Sequence, residues 1–332
     1  MSSLSGASLL VTGGTGSFGK AFIAKVLRDH DPARVVVLSR DELKQFEMQQ
    51  NPQFAGHMSK LRFFVGDVRD RARLMQAFAG IDFVIHAAAL KQVPACEYNP
   101  FEAIKTNVVG AENIIDVAIE RSVKKVVALS TDKACNPVNL YGATKLCSDK
   151  LFVAGNSYSG EQATRFAVVR YGNVVGSRGS VVPFFISQRA GGRLPITHPE
   201  MTRFWITLDQ GAEFVLASLQ RMQGGELFVP KIPSMRIVDL AQVLAPNCEH
   251  EIVGIRPGEK LHEVMISEDD ARHSREFEDY YIIEPEFAWW SKSAERAAGV
   301  RLPDGFRYSS DANTRWLSTE ELRAMVRPFE QG

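Results

Sequence analysis

Along the first half of the chain, short apolar runs rich in β-branched residues alternate with longer segments whose apolar positions recur every three to four residues. Short continuous apolar runs bounded by turn residues read as buried parallel strands, and the longer period reads as amphipathic helices packed over them. The pattern predicts strands at 8–12, 34–38, 61–65, 81–86, 123–129 and 163–170. Helices are predicted at 20–28 and 101–120, with a third carrying Tyr141 and Lys145. This alternation predicts an α/β fold, a Rossmann-type doubly wound parallel sheet. Past residue 172 the rhythm breaks, and Gly/Pro punctuation thickens around 191–195. There the pattern predicts a helix at 207–222, a strand at 227–229 and a helix at 237–244. Ser318-Thr319-Glu320-Glu321 has the form of a capping box opening a last helix. The expected division is a dinucleotide-binding domain at 1–172 and a smaller, interleaved α/β substrate lobe at 173–332.

The first strand runs straight into Gly13-Gly14-Thr15-Gly16-Ser17-Phe18-Gly19, and a helix follows. Glycines permit the tight turn and close approach of a pyrophosphate, while the helix N-terminus supplies amide donors and partial positive charge. The second strand ends in Ser39-Arg40-Asp41, about twenty residues on, where an NAD site usually places an acid. A guanidinium beside a hydroxyl suits a 2′-phosphate instead, so NADP is the expected cofactor. The alternative is a solvated Arg40 with Asp41 as the acid. After the third strand, Asp67 precedes Val68; it can accept from an adenine amino group or cap the helix beginning near Asp70. After the fourth, Ala87-Ala88-Ala89 leaves room for a cofactor against the backbone, and Lys91 follows.

Charge and cysteine content narrow the classes. The 332 residues carry 39 basic and 39 acidic side chains, so no nucleic-acid footprint or membrane-seeking surface is indicated. The four cysteines show neither CxxC nor His/Cys spacing, so no metal site or disulfide framework is expected, and free thiols suit a reducing compartment. The N-terminal stretch lacks the form of a signal peptide, and no apolar run reaches the roughly 18 residues of a membrane span. A soluble, cytoplasmic protein is the expectation.

The stretch Ser130-Thr131-Asp132-Lys133-Ala134-Cys135-Asn136-Pro137-Val138-Asn139-Leu140-Tyr141-Gly142-Ala143-Thr144-Lys145 follows the fifth strand, where an open α/β sheet keeps its chemistry. On a helix, Tyr141 and Lys145 share one face, about 5–6 Å apart at Cβ. A phenol has a pKa of about 10, and a neighbouring ammonium lowers it. Tyr141 is therefore the candidate base for a sugar or alcohol hydroxyl, with Lys145 as its activator. An ordinary amphipathic Tyr/Lys pair is the competing reading.

Taken in order, the glycine turn, the small-residue stretch, the YxxxK pair and the segment Tyr171-Gly172-Asn173-Val174 resemble the extended short-chain dehydrogenase/reductase family. Thr131-Asp132-Lys133, with Tyr141 only eight residues further, resembles the UDP-N-acetylglucosamine 4,6-dehydratases that invert C5, at the first step toward pseudaminic acid. That resemblance implies Lys133 as the C5 base, Asp132 as the acid, and Thr131 or Ser130 polarising the substrate oxygen. Burial was expected to push Lys133 and Asp132 toward their neutral forms. Cofactor contacts are implied for Gly13, Thr15, Gly16, Ser17, Phe18, Gly19, Ser39 and Arg40. They are implied also for Asp67, Val68, Ala87, Ala88, Ala89, Lys91, Asn107, Tyr141 and Lys145. For a UDP-sugar substrate the resemblance implies Lys91, Asn173, Val181, Thr202, Arg256 and Glu259. It also implies a homo-oligomer, a hexamer. A 4-epimerase is the competing activity, since it needs Tyr141 but no pair at 132 and 133.

Overall fold

The computed structural model describes residues 4–160, 164–177, 179–286 and 298–330. Six parallel strands form the frame: β1 (Ser8–Thr12), β2 (Arg34–Ser39), β3 (Leu61–Val65), β4 (Phe83–His86), β5 (Lys125–Thr131) and β6 (Arg165–Tyr171). Four more join the same sheet from the C-terminal half: β7 (Leu227–Pro230), β8 (Ser274–Glu276), β9 (Tyr280–Ile283) and β10 (Val300–Arg301). The order across the sheet is β10-β8-β9-β7-β6-β5-β4-β1-β2-β3. β7 lies parallel to β6, and the edge beyond it is antiparallel. Strands from the C-terminal half thus return to the sheet built by the first half. Ala163, placed in the sixth predicted strand, lies outside the described residues.

Leu9, Val11, Val37, Val84, Val127 and Val168 are wholly buried, as expected for strands covered on both faces. The helix Ser17–Asp29 packs with the helix Leu208–Arg221, and the helix Gly110–Glu120 packs between Arg71–Ala77 and Leu140–Tyr158. The order of strand addition reverses between β1 and β4, so a crevice opens beyond the carboxyl ends of those parallel strands. A second hydrophobic core, around Trp205, Leu240 and Leu322, underlies the lobe over this crevice. It joins the helices Val181–Gln188, Ile237–Leu244 and Thr319–Glu330. The last of these begins at the predicted capping box, with Ser318 and Glu321 bonded reciprocally.

The single helix predicted at 101–120 is broken. A helix at Pro100–Ile104 passes through a π-turn at Lys105–Val109 before Gly110–Glu120. Buried Asn107 in that turn accepts from the Leu90 amide at 2.8 Å and donates to the Leu90 carbonyl at 2.9 Å and to Thr144 Oγ1 at 3.0 Å. Those bonds tie the loop after β4 to the helix bearing Tyr141. Periodicity alone cannot register a one-residue insertion of this kind.

Candidate active site

Between the carboxyl ends of the strands and the lobe lies one cavity of about 940 Å³. All the candidate residues named from the sequence line it except Asn107 and Thr202. Asn107 supports the loop just described. Thr202 is buried behind the cavity wall, where its hydroxyl meets His262 Nδ1 at 2.8 Å and Ser310 Oγ at 2.7 Å. Its neighbour Arg203 lines the cavity instead.

The glycine turn is folded tightly onto the strand ends. Gly13 has φ +65°, and a Cβ there would meet Ala88 N at 2.9 Å. A Cβ on Gly19 would meet Gly13 O and Gly14 Cα at 2.6 Å. The helix Ser17–Asp29 starts from Gly16 without a side-chain cap, so its first amides remain available to an anion. At the end of β2, Asp41 caps the following helix by accepting from Lys44 N at 3.0 Å. Its carboxylate is engaged there, whereas the guanidinium of Arg40 is half-exposed over the cavity, 3.6 Å from Asp67. Asp70, not Asp67, caps the helix after β3. These features fit a dinucleotide. His86 bonds Thr12 Oγ1 through Nδ1 at 2.8 Å; burial pushes its pKa to about 3 and keeps the ring neutral.

Asn139 caps the helix Leu140–Tyr158 by accepting from Gly142 N at 2.7 Å. A Cβ on Gly142 would stand 2.1 Å from Lys133 O, so only glycine lets this helix approach the turn after β5. That approach sets Tyr141 beside Thr131, Asp132 and Lys133. Ser130 is committed elsewhere, donating to Asp149 at 2.7 Å, while the Thr131 hydroxyl lies toward Asp132 and Tyr141. Lys145 is buried, and its pKa is lowered by burial against the opposing pull of Asp149. Burial pushes the Tyr141 phenol up to about 12, against the pull of Lys133 and Thr131. The activation expected from Lys145 is therefore not supplied by the protein's own charges.

Lys133 Nζ sits between two buried carboxylates, 3.0 Å from Asp132 Oδ1 and 3.1 Å from Glu263 Oε1. Burial lowers its pKa, but these two charges outweigh that effect and raise it. The expected drift of Lys133 toward neutrality is thus reversed, because burial arrives together with two counter-charges. Asp132 does shift upward as expected, through burial and the charge of Glu263, with Lys133 opposing. Glu263 stays below its usual range: burial acts against ionisation, and Lys133, Arg203 and Lys260 overcome it.

Sequence reading missed Glu263 altogether. The one available signal was an acid heading the apolar run Val264-Met265-Ile266, which forms a wholly buried strand. Its approach to Lys133 is made by a clasp: Arg203 donates to the carbonyls of Lys260 and Leu261, and Lys260 donates to Cys135 O at 2.6 Å. Nearby, Asn139 donates to Gly258 O at 2.7 Å and fastens the loop bearing Arg256 and Glu259. Glu259 Oε2 is buried with no hydrogen-bond partner among the described residues, an acceptor suited to a sugar hydroxyl. Among those residues no cluster could hold a metal ion, and no helix is long and apolar enough to cross a membrane.

Residues 9–285 match the family described as "Polysaccharide biosynthesis protein". A protein of Campylobacter jejuni (strain 81-176) named UDP-N-acetylglucosamine 4,6-dehydratase (inverting) is 56% identical over 98% of both chains. A protein of Rickettsia canadensis named UDP-glucose 4-epimerase is 40% identical over 96% of this chain and 95% of its own. Among solved structures, Pen from Bacillus thuringiensis superposes with a TM-score of 0.88 at 36% identity, covering 98% of this chain and 99% of the other. The chain belongs to the polysaccharide biosynthesis protein family and has the extended short-chain dehydrogenase/reductase fold.

Proposed function

We propose that this protein is an NADP-dependent hydro-lyase that converts UDP-N-acetylglucosamine to a 4-keto-6-deoxy sugar with inversion at C5. The observation that carries the reading is the pair of buried Asp132 and partly buried Lys133 beside Tyr141 at one cavity wall. The Campylobacter relative's name agrees with it. When bound, the nicotinamide of NADP accepts hydride from C4, returns it to C6 and brings a positive charge to the site. Arg40 and Ser39 would read the 2′-phosphate, and the uncapped amides after Gly16 would hold the pyrophosphate. Asn173, Val181, Arg256 and Glu259 would hold the UDP moiety, with Lys91 at the sugar end.

Tyr141 takes the C4 hydroxyl proton during oxidation, with the Thr131 hydroxyl beside its oxygen and Lys145 stabilising the phenolate together with the charge that the bound nicotinamide would bring. The 4-ketone acidifies C5–H. Lys133 and Asp132 must then act as amine and carboxylic acid. One proton moved along their 3.0 Å hydrogen bond converts the ion pair into those two forms, and the charge of Glu263 favours the protonated form of Asp132. Lys133 removes the C5 proton, the electron pair forms the C5–C6 double bond, and C6–O breaks as Asp132 protonates the leaving hydroxyl. Water departs. After C6 regains hydride, a proton added to the opposite face of C5 completes the inversion.

The Rickettsia relative's name favours a second reading, a 4-epimerase using Tyr141 and the same cofactor. A proton NMR time course with UDP-N-acetylglucosamine in heavy water separates the two. Dehydration yields a 4-keto-6-deoxy product with deuterium at C5; an unlabelled 4-epimer would refute it. The proposal extends to a cytoplasmic homo-oligomer, a hexamer, serving pseudaminic acid synthesis. Tyr98 and Phe101, 88% and 74% exposed, are apolar surface such an assembly would cover.

A further inference from the structure

Glu263 belongs to none of the roles above, yet it is 1% exposed and touches the same ammonium as Asp132. Its Oε1 lies 3.1 Å from Lys133 Nζ and 3.9 Å from Arg203 Nε; its Oε2 lies 3.7 Å from Lys260 Nζ and has no hydrogen-bond partner among the described residues. A carboxylate surrounded by three cations is a fixed charge. Asp132 has a different setting. Its Oδ1 meets Lys133 and the Thr131 hydroxyl, and its Oδ2 is buried with no hydrogen-bond partner among the described residues. We infer that Glu263 is a positioning residue for the dehydration: it remains the ionised partner of Lys133 throughout the cycle, so that Asp132 can carry and surrender the proton of the leaving hydroxyl.

The inference rests on the dehydratase reading and deepens it. Two carboxylates on one ammonium cannot both be needed as its counter-ion, and their surroundings separate them. Arg203 and Lys260 belong to Glu263 alone, while desolvation falls on Asp132 with only one cation to offset it. When Lys133 takes the C5 proton, the ammonium so formed is stabilised by Glu263, and the neutral Asp132 still holds its own proton for C6–O cleavage. The other groups facing this cluster are Lys91 from the loop after β4 and Tyr141 from its helix. Neither can replace Glu263: Lys91 is a cation, and the Tyr141 phenol has already taken up the C4 proton when Lys133 acts.

The test compares Glu263→Gln and Glu263→Asp with the parent enzyme, using holoenzyme and UDP-N-acetylglucosamine across pH. With Gln, Asp132 becomes the sole counter-ion of Lys133 and the repulsion that favours its protonated form is gone. The expected result is a kcat fall of about 10²-fold, the contribution of a positioned general acid. KM should change little, and the alkaline limb of the kcat profile should move to lower pH. Glu263→Asp, which keeps the charge, should recover much of kcat and restore the limb. Single-turnover NADPH absorbance should still appear in Gln, because C4 oxidation does not use Glu263. Equal losses in Gln and Asp with the limb unmoved would reduce Glu263 to a packing role, and an unchanged Gln profile would remove it from the site's chemistry. If the parent itself forms no 4-keto-6-deoxy product, the dehydratase reading fails and this inference falls with it.

Discussion

Two lysines face one cavity, Lys145 buried and Lys133 partly buried, and their environments drive them in opposite directions. Lys145, on the helix Leu140–Tyr158, is lowered by burial with only Asp149 pulling back. Lys133, on the turn after β5, is desolvated too, yet two carboxylates in contact with its ammonium raise it. Depth of burial therefore does not set the charge of a lysine; the number of counter-charges buried with it does. The division suits two tasks. Under the proposed function, one lysine serves the phenol for the oxidation at C4, and the other exchanges a proton with Asp132 for the elimination at C5 and C6.

The hardest blow to the oxidation half is Tyr141→Phe, which keeps the ring and removes the proton acceptor. Turnover should fall by about 10⁴-fold, at the upper end for a general base, with NADP affinity intact by calorimetry. Near-normal turnover would take Tyr141 out of the mechanism. Lys133→Ala attacks the other half. Product formation should drop by about 10²- to 10³-fold, while one equivalent of NADPH per site appears in stopped-flow absorbance. Deuterium should fail to wash into C5; exchange at the parent's rate would show that Lys133 is not the base and would dissolve the contrast between the lysines.

Away from both lysines, Arg40→Ala should weaken NADP but not NAD, by roughly 1.5–3 kcal/mol for a lost charged hydrogen bond. Equal losses in a paired titration would mean that Arg40 does not read the 2′-phosphate. The smallest expected effect is on stability. Asp132 has a raised folded-state pKa, so the native chain holds that proton more tightly than the unfolded chain. This contribution is complete below the unfolded pKa and is lost as pH rises through the folded one. Asp132→Asn never charges. Its thermal midpoint should gain on the parent as pH rises from about 4 to about 8, even as activity falls. A midpoint difference that stays flat with pH would contradict the raised pKa.

The parallel frame was legible because its central strands are covered on both faces and so read as apolar runs; β1 and the edge strand β3 begin and end where the pattern places them. The lobe was less so. Arg193–Ile196 and Glu249–Ile252 pair in parallel across more than fifty positions of chain, and their short runs carry no period long enough to announce the partner. The nucleotide half of the site follows the same division. Gly13–Gly19 declares itself because a tight turn between strand and helix needs glycine at those positions. Thr202 and Asn107 misled because a polar residue in a promising segment points toward a cavity or away from it according to packing alone.

Residue types and their local spacing determined the alternating fold, the glycine turn, the Tyr141/Lys145 pair and the Asp132-Lys133 dipeptide, since each depends on neighbours a few positions apart. Tertiary structure decided the charges. Glu263 lies 130 residues from Lys133 in the chain, and only the Arg203 and Lys260 clasp brings it to 3.1 Å. Coulomb interactions depend on distance through space and on the solvent excluded between the groups, and neither quantity is written in the order of the residues.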